Sequence, residues 1–159
     1  MPLNGDLQRK SLYISLNSRA HLGDYHWGLI ITDADNKSVL HHASNRNGPW
    51  IYEVRKASPA ESMTLIILMR VDEVRSHGRA MDVIKSIPAD GSPSQRTGEA
   101  FDCKTWVKDV LVALHEAGEI KLPTVIDALE NKAVEDGLLH APLAEDGLGA
   151  TVLNDPLSK

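Results

Sequence analysis

The apolar residues of this chain change their period part-way along it, and that change constrains the fold more than any other feature. As far as Val71 they come in short alternating or unbroken runs bounded by turn residues; from Arg75 onward they recur at helical spacings. Residues 11–16, 25–32 and 37–43 read as strands, the last two joined as a hairpin across Asp33-Ala34-Asp35-Asn36. Residues 50–55 follow the turn signal Asn45-Arg46-Asn47-Gly48-Pro49. Residues 63–71, with the run Leu65-Ile66-Ile67-Leu68-Met69, read as a central strand covered on both faces. Residues 75–86 predict a helix that stops before Pro88, and residues 89–98 are a Gly/Pro/Ser loop. A helix opening at Cys103 carries Trp106, Val107, Val110, Leu111 and Leu114 as one stripe, with Gly118 a natural residue to end it. Pro123-Thr124 starts a further helix over 125–139, followed by a loosely patterned tail with Gly147, Gly149 and Pro156. The pattern implies an α+β fold, an antiparallel sheet of about five strands with helices packed on it afterwards. One domain spans 1–159, its residues 119–159 an acidic helical or irregular extension that could act as a lid or an interaction surface.

A chain of 159 residues can bury a substantial core without metal or disulfide staples. No apolar run approaches the roughly 20 residues that cross a bilayer. Residues 1–10 carry no apolar stretch resembling a signal sequence, so the expected location is cytoplasmic. The net charge of −5 is unevenly placed. Residues 1–118 hold 14 acids and 14 bases, whereas residues 119–159 hold 8 acids and 3 bases. No basic face is evident, which argues against a nucleic-acid partner. Oligomeric state is not legible, and no internal repeat occurs.

Cys103 is the only cysteine, at the predicted start of a helix. The positive end of the helix dipole and the free N–H groups there favour a thiolate, which is how a nucleophile is made. The competing reading is a small buried hydrophobe, since Cys103 shares a face with Val107, Val110 and Leu114.

Seven histidines accompany it. His21, His77, His115 and His140 read as solvated side chains. His26, His41 and His42 fall within predicted strands, where His26 points with Gly28 and Ile30, opposite Tyr25, Trp27 and Leu29. A thiol nucleophile needs a base, and the base needs a third group that fixes its tautomer. Cys103, His26 and one of His41 and His42 would supply all three, because a hairpin brings side chains to roughly 5 Å. Core histidines satisfied by backbone groups are the alternative.

A strand beginning His26-Trp27-Gly28, a second strand with Val39-Leu40-His41, and a helix opening Asp102-Cys103-Lys104-Thr105-Trp106-Val107 together resemble the circularly permuted papain-like cysteine enzymes of the NlpC/P60 superfamily. These include the lecithin:retinol acyltransferase group and the PPPDE peptidases. The resemblance runs from Ser11 to about Gly118. It implies a papain-like fold with the histidine strand before the cysteine helix, Cys103 as nucleophile, His26 as general base and His41 as the orienting third residue, with His42 its competitor. Asp102 departs from the acyltransferase pattern, which usually has Asn there. An acid beside the nucleophile raises the thiol pKa unless it turns outward as a helix cap.

His115-Glu116-Ala117-Gly118-Glu119 comes within one residue of the zincin motif, but Gly118 breaks the helix that would carry both ligands. No metal or cofactor is expected. No Walker A, G-x-G-x-x-G or G-x-S-x-G motif occurs. Trp27, Trp50 and Trp106 read as core or pocket wall. The expected activity is that of a cysteine-dependent hydrolase or acyltransferase working through a thioester on an amide, peptide or related small-molecule acyl substrate. The alternative is a non-catalytic binding or effector domain on the same fold, or a lyase or cyclase at the same thiol.

Overall fold

The computed structural model describes residues 3–19 and 24–155; the expectations for His21, for the first two residues and for Pro156 lie outside them. Seven strands form one sheet among the described residues: β1 (Leu3–Asn4), β2 (Ser11–Ser18), β3 (Tyr25–Thr32), β4 (Ser38–Ser44), β5 (Ile51–Lys56), β6 (Leu65–Glu73) and β7 (Ala150–Leu153), in the spatial order β1-β7-β6-β2-β3-β4-β5. Three helices, α1 (His77–Ser86), α2 (Cys103–Glu116) and α3 (Ile126–Glu145), follow β6. The fold is α+β.

The β3–β4 hairpin turns where the sequence places it. Asp33 Oδ1 accepts from the backbone N–H groups of Asp35 and Lys37, and Asn36 takes the left-handed conformation with φ 61° that its short amide side chain tolerates. Strand β6 is buried on both faces from Leu65 to Met69, as an unbroken apolar run requires.

Two expectations are corrected. The sheet has seven strands, not about five, and it is mixed, because β7 runs parallel to both β1 and β6. Parallel neighbours need a long crossover connection, and the three helices between β6 and β7 supply it. Within residues 119–155, α3 and β7 belong to the core and to the sheet. Helix α3 buries Leu129, Ala133, Ala141 and Ala144 in the main core, and β7 inserts between β1 and β6. Helix α3 also runs six residues past its expected end. Gly137 lets it come close to the sheet, where a Cβ would stand 3.1 Å from Leu16 Cδ1 and from the Tyr25 ring.

The two faces of the sheet are unlike. One carries Leu12, Ile14, Leu16, Tyr25, Trp27, Leu29, Ile31 and Met69 under the helices. The other carries Tyr13, Ile30, Leu65, Leu68, Ala150 and Val152, with only Leu3, Leu7, Leu40 and Ala57 packed over them.

Candidate active site

Helix α2 begins at Cys103 because Asp102, in an extended conformation, accepts the Thr105 N–H at 2.7 Å. Asp102 is thus the cap that its position beside the thiol called for. Cys103, Trp106, Val107, Val110, Leu111 and Leu114 are all buried against the sheet, and α2 packs on β3 and β4.

The sulfur meets the sheet where two strands part. Antiparallel pairing of β3 with β4 ends at Leu29 and His41, although β4 continues alongside β5 as far as Ser44. Trp27 then has no β4 partner for its N–H, which donates to Cys103 Sγ at 3.4 Å. Tyr25 O lies 4.0 Å from the same sulfur.

His26 stands on the opposite face, as alternation demands. Its Nε2 lies 2.7 Å from Nδ1 of His42, whose Nε2 lies 2.6 Å from Glu53 Oε1. An ionised carboxylate only accepts, so His42 carries its proton on Nε2 and accepts on Nδ1. His26 in turn carries its proton on Nε2. Glu53 therefore fixes both tautomers and leaves the basic lone pair of His26 on Nδ1. That lone pair faces Arg19, whose Nη2 donates to His26 Nδ1 at 3.2 Å and to Cys103 Sγ at 3.4 Å. No direct hydrogen bond joins His26 to Cys103 among the described residues; the guanidinium bridges them.

The histidine that meets His26 is His42, not the expected His41. Leu29 pairs with His41, so His41 shares the helix-side face with Leu29 and turns away from His26. His41 is 0% exposed, its Nδ1 lies 2.7 Å from the Tyr52 hydroxyl, and its Nε2 has no partner among the described residues. The likeness of Val39-Leu40-His41 to a family strand pointed to the wrong neighbour because sequence similarity carries no register.

The electrostatics hold the resting site neutral. Burial first, then repulsion from His42 when it is protonated and from Arg19, Arg46 and Arg55, lowers His26 to about 4. Burial also lowers His42, against the pull of Glu53, while the hydrogen bond from His42 holds Glu53 below the usual carboxylate range. Burial pushes the Cys103 thiol up, with Trp27 N–H and Arg19 acting to lower it and Asp102 to raise it. The thiolate that a helix start favours is thus outweighed at rest by desolvation, since Cys103 is 2% exposed.

Glu53 and Arg19 escaped the sequence reading. Glu53 becomes visible only once β5 is registered on β4, where it pairs with His42, and Arg19 lies just past the end of β2 with no motif around it. His77 is exposed and His140 half-buried; His115 is exposed but accepts from the Leu122 N–H. Helix α2 ends at Glu116, and Gly118 with φ 77° turns Glu119 away to accept from Ser76 N at the start of α1. The near-zincin stretch is a helix terminus.

A family model matches residues 9–136, most of the chain and every residue of the site. The chain belongs to DUF6914, a family of unknown function. No curated protein and no solved structure matches it. No described helix is long and apolar enough to cross a membrane.

Proposed function

We propose that this DUF6914 chain is a cysteine-dependent acyl-transfer enzyme or hydrolase, with Cys103 as nucleophile, His26 as general base and His42, backed by Glu53, as the orienting pair. The observation that carries the reading is the hydrogen-bonded line from Glu53 through His42 to His26, ending at a lone pair that shares one guanidinium with the only thiol. A structural histidine needs no such line.

In this scheme Arg19 moves aside and His26 Nδ1 takes the thiol proton. The sulfur attacks the acyl carbonyl, and the backbone N–H of Cys103 helps bind the oxyanion. His26 returns the proton to the leaving group, and water or another acceptor then cleaves the thioester and regenerates the thiol. The order of elements, histidine strands before a cysteine helix, supports the finer reading of a permuted papain-like fold of the NlpC/P60 type. An amide or peptide substrate and a cytoplasmic setting belong to the same proposal.

A second reading, a binding domain that has lost the chemistry, draws on one observation: Arg19 occupies the lone pair a base would use. The test for both is acylation by p-nitrophenyl acetate, followed by release of nitrophenol and by mass spectrometry of the peptide that holds Cys103. The expected result is an acetyl group on Cys103, none in Cys103→Ala, and rates lower by about 10²-fold to 10⁴-fold in His26→Ala and His42→Ala, with His41→Ala near wild type. Acylation at another residue, or a rate indifferent to His26, would leave the binding reading in its place.

A further inference from the structure

The sheet face that presents His26 and His42 also holds a pocket of about 330 Å³, lined by Ser15, Asn17, Ile30 and Leu40 from the strands and by Arg55, Lys56, Glu61 and neighbouring residues from the rim. Cross-strand pairing makes it continuous with the site. Asn17 is the partner of His26, Ser15 of Gly28, Ile30 of Leu40, and Leu40 of Arg55.

Gly28 lets the neighbouring side chains close in on the strand: a Cβ on it would lie 2.9 Å from Ser15 Oγ, 3.0 Å from Leu40 Cδ1 and 3.5 Å from His42 Cβ, so any other residue there would displace Ser15 or Leu40. Ser15 is 1% exposed, yet its hydroxyl has no hydrogen-bond partner among the described residues. A buried hydroxyl without a partner carries a standing desolvation cost, and Ser15 belongs to the same pocket lining as Arg55 and Lys56. Asn17 is already engaged with Thr64 Oγ1. Neither Arg55 nor Lys56 makes an ion pair among the described residues, and nor does nearby Arg46, although the whole chain carries a net charge of −5. Glu61 is the one acid in the lining.

We propose that this pocket binds the anionic group, carboxylate or phosphate, of a small substrate, with Ser15 as donor from the floor and Arg55 and Lys56 as counter-charges from the rim. The site would hold such a substrate beside His26, and in this it rests on the cysteine-enzyme reading. Arginine offers paired donors to either oxyanion, and a hydroxyl donor from the floor adds a direction that surface cations alone lack. The volume suits a small molecule rather than a polymer.

The test is a titration of isotope-labelled full-length protein with glutarate in one arm and inorganic phosphate in the other, at constant ionic strength, read by amide shifts. Saturable shifts centred on Ser15, Gly28 and Arg55 are expected, and the tighter ligand names the substrate's anionic group. Arg55→Gln with Lys56→Gln should weaken binding about tenfold or more. Ser15→Ala should weaken it several-fold while leaving the melting temperature unchanged or raised, an outcome that a structural hydroxyl would not give. Glu61→Gln should tighten it. Shifts scattered evenly over the surface, or variants that bind like wild type, would overturn the proposal. Binding is also measured in Cys103→Ala: retained there, it upholds the pocket whatever becomes of the cysteine chemistry, and lost in the wild type, it leaves the acylation result standing.

Discussion

His41, the histidine that turns away from the site, should make the fold acid-labile in a way that one substitution can isolate. It is fully buried, one ring nitrogen has no partner among the described residues, and burial, with smaller contributions from His77, Lys85 and His42, lowers it to about 4 from 6.5. A folded-state value below the unfolded one means that folding favours the neutral ring. Its contribution is therefore complete above pH 6.5, is lost as the pH falls through that value, and levels off near pH 4. Between pH 7.5 and 4.5 the loss is on the order of 2 to 3 kcal/mol. His41→Asn keeps an acceptor near the Tyr52 hydroxyl and removes the titration. Urea unfolding at the two pH values gives a stability difference for each protein, and the variant's should be smaller by roughly 2 to 3 kcal/mol. His26 and the lowered carboxylates titrate alike in both proteins and cancel. Equal losses in the two would refute the claim that burial keeps this imidazole neutral.

Asp102→Ala removes the cap of α2 and should cost about 1 kcal/mol in denaturant unfolding, while the thiol pKa, followed by iodoacetamide alkylation against pH, falls because an adjacent negative charge is gone. Glu53→Gln leaves the hydrogen bond to His42 possible but no longer dictates its direction, so acylation of Cys103 should slow by up to about 10²-fold with little change in stability. An unchanged rate would remove Glu53 from the orienting line.

The elements with strong periodicity were legible in the sequence, and the pairings between them were not. The β3–β4 hairpin, the doubly covered β6 and the α2 stripe each rest on local chemistry: an Asx turn, an unbroken apolar run, a cap before a helical repeat. β1 and β7 have two and four residues, too short for a period, and exist because neighbouring strands supply their hydrogen bonds. For the site, alternation alone put His26 opposite Trp27, as found, but choosing between His41 and His42 needed to know which residue faces Leu29. Glu53 and Arg19 depend on two strands and a loop meeting, and no single stretch of chain records that.

The parting of β3 from β4 bears on how the protein is made. Trp27 N–H finds its acceptor in a sulfur 76 residues further along, so the gap between the strands is completed only when α2 docks. During synthesis the histidine hairpin emerges long before Cys103. Until the helix arrives, the hairpin has no thiol to activate, and the thiol, once made, is not buried until it reaches the strands. Completion of the site and burial of the thiol are thus one step, and a pulse of alkylating reagent during refolding should mark Cys103 only in chains in which α2 has not docked.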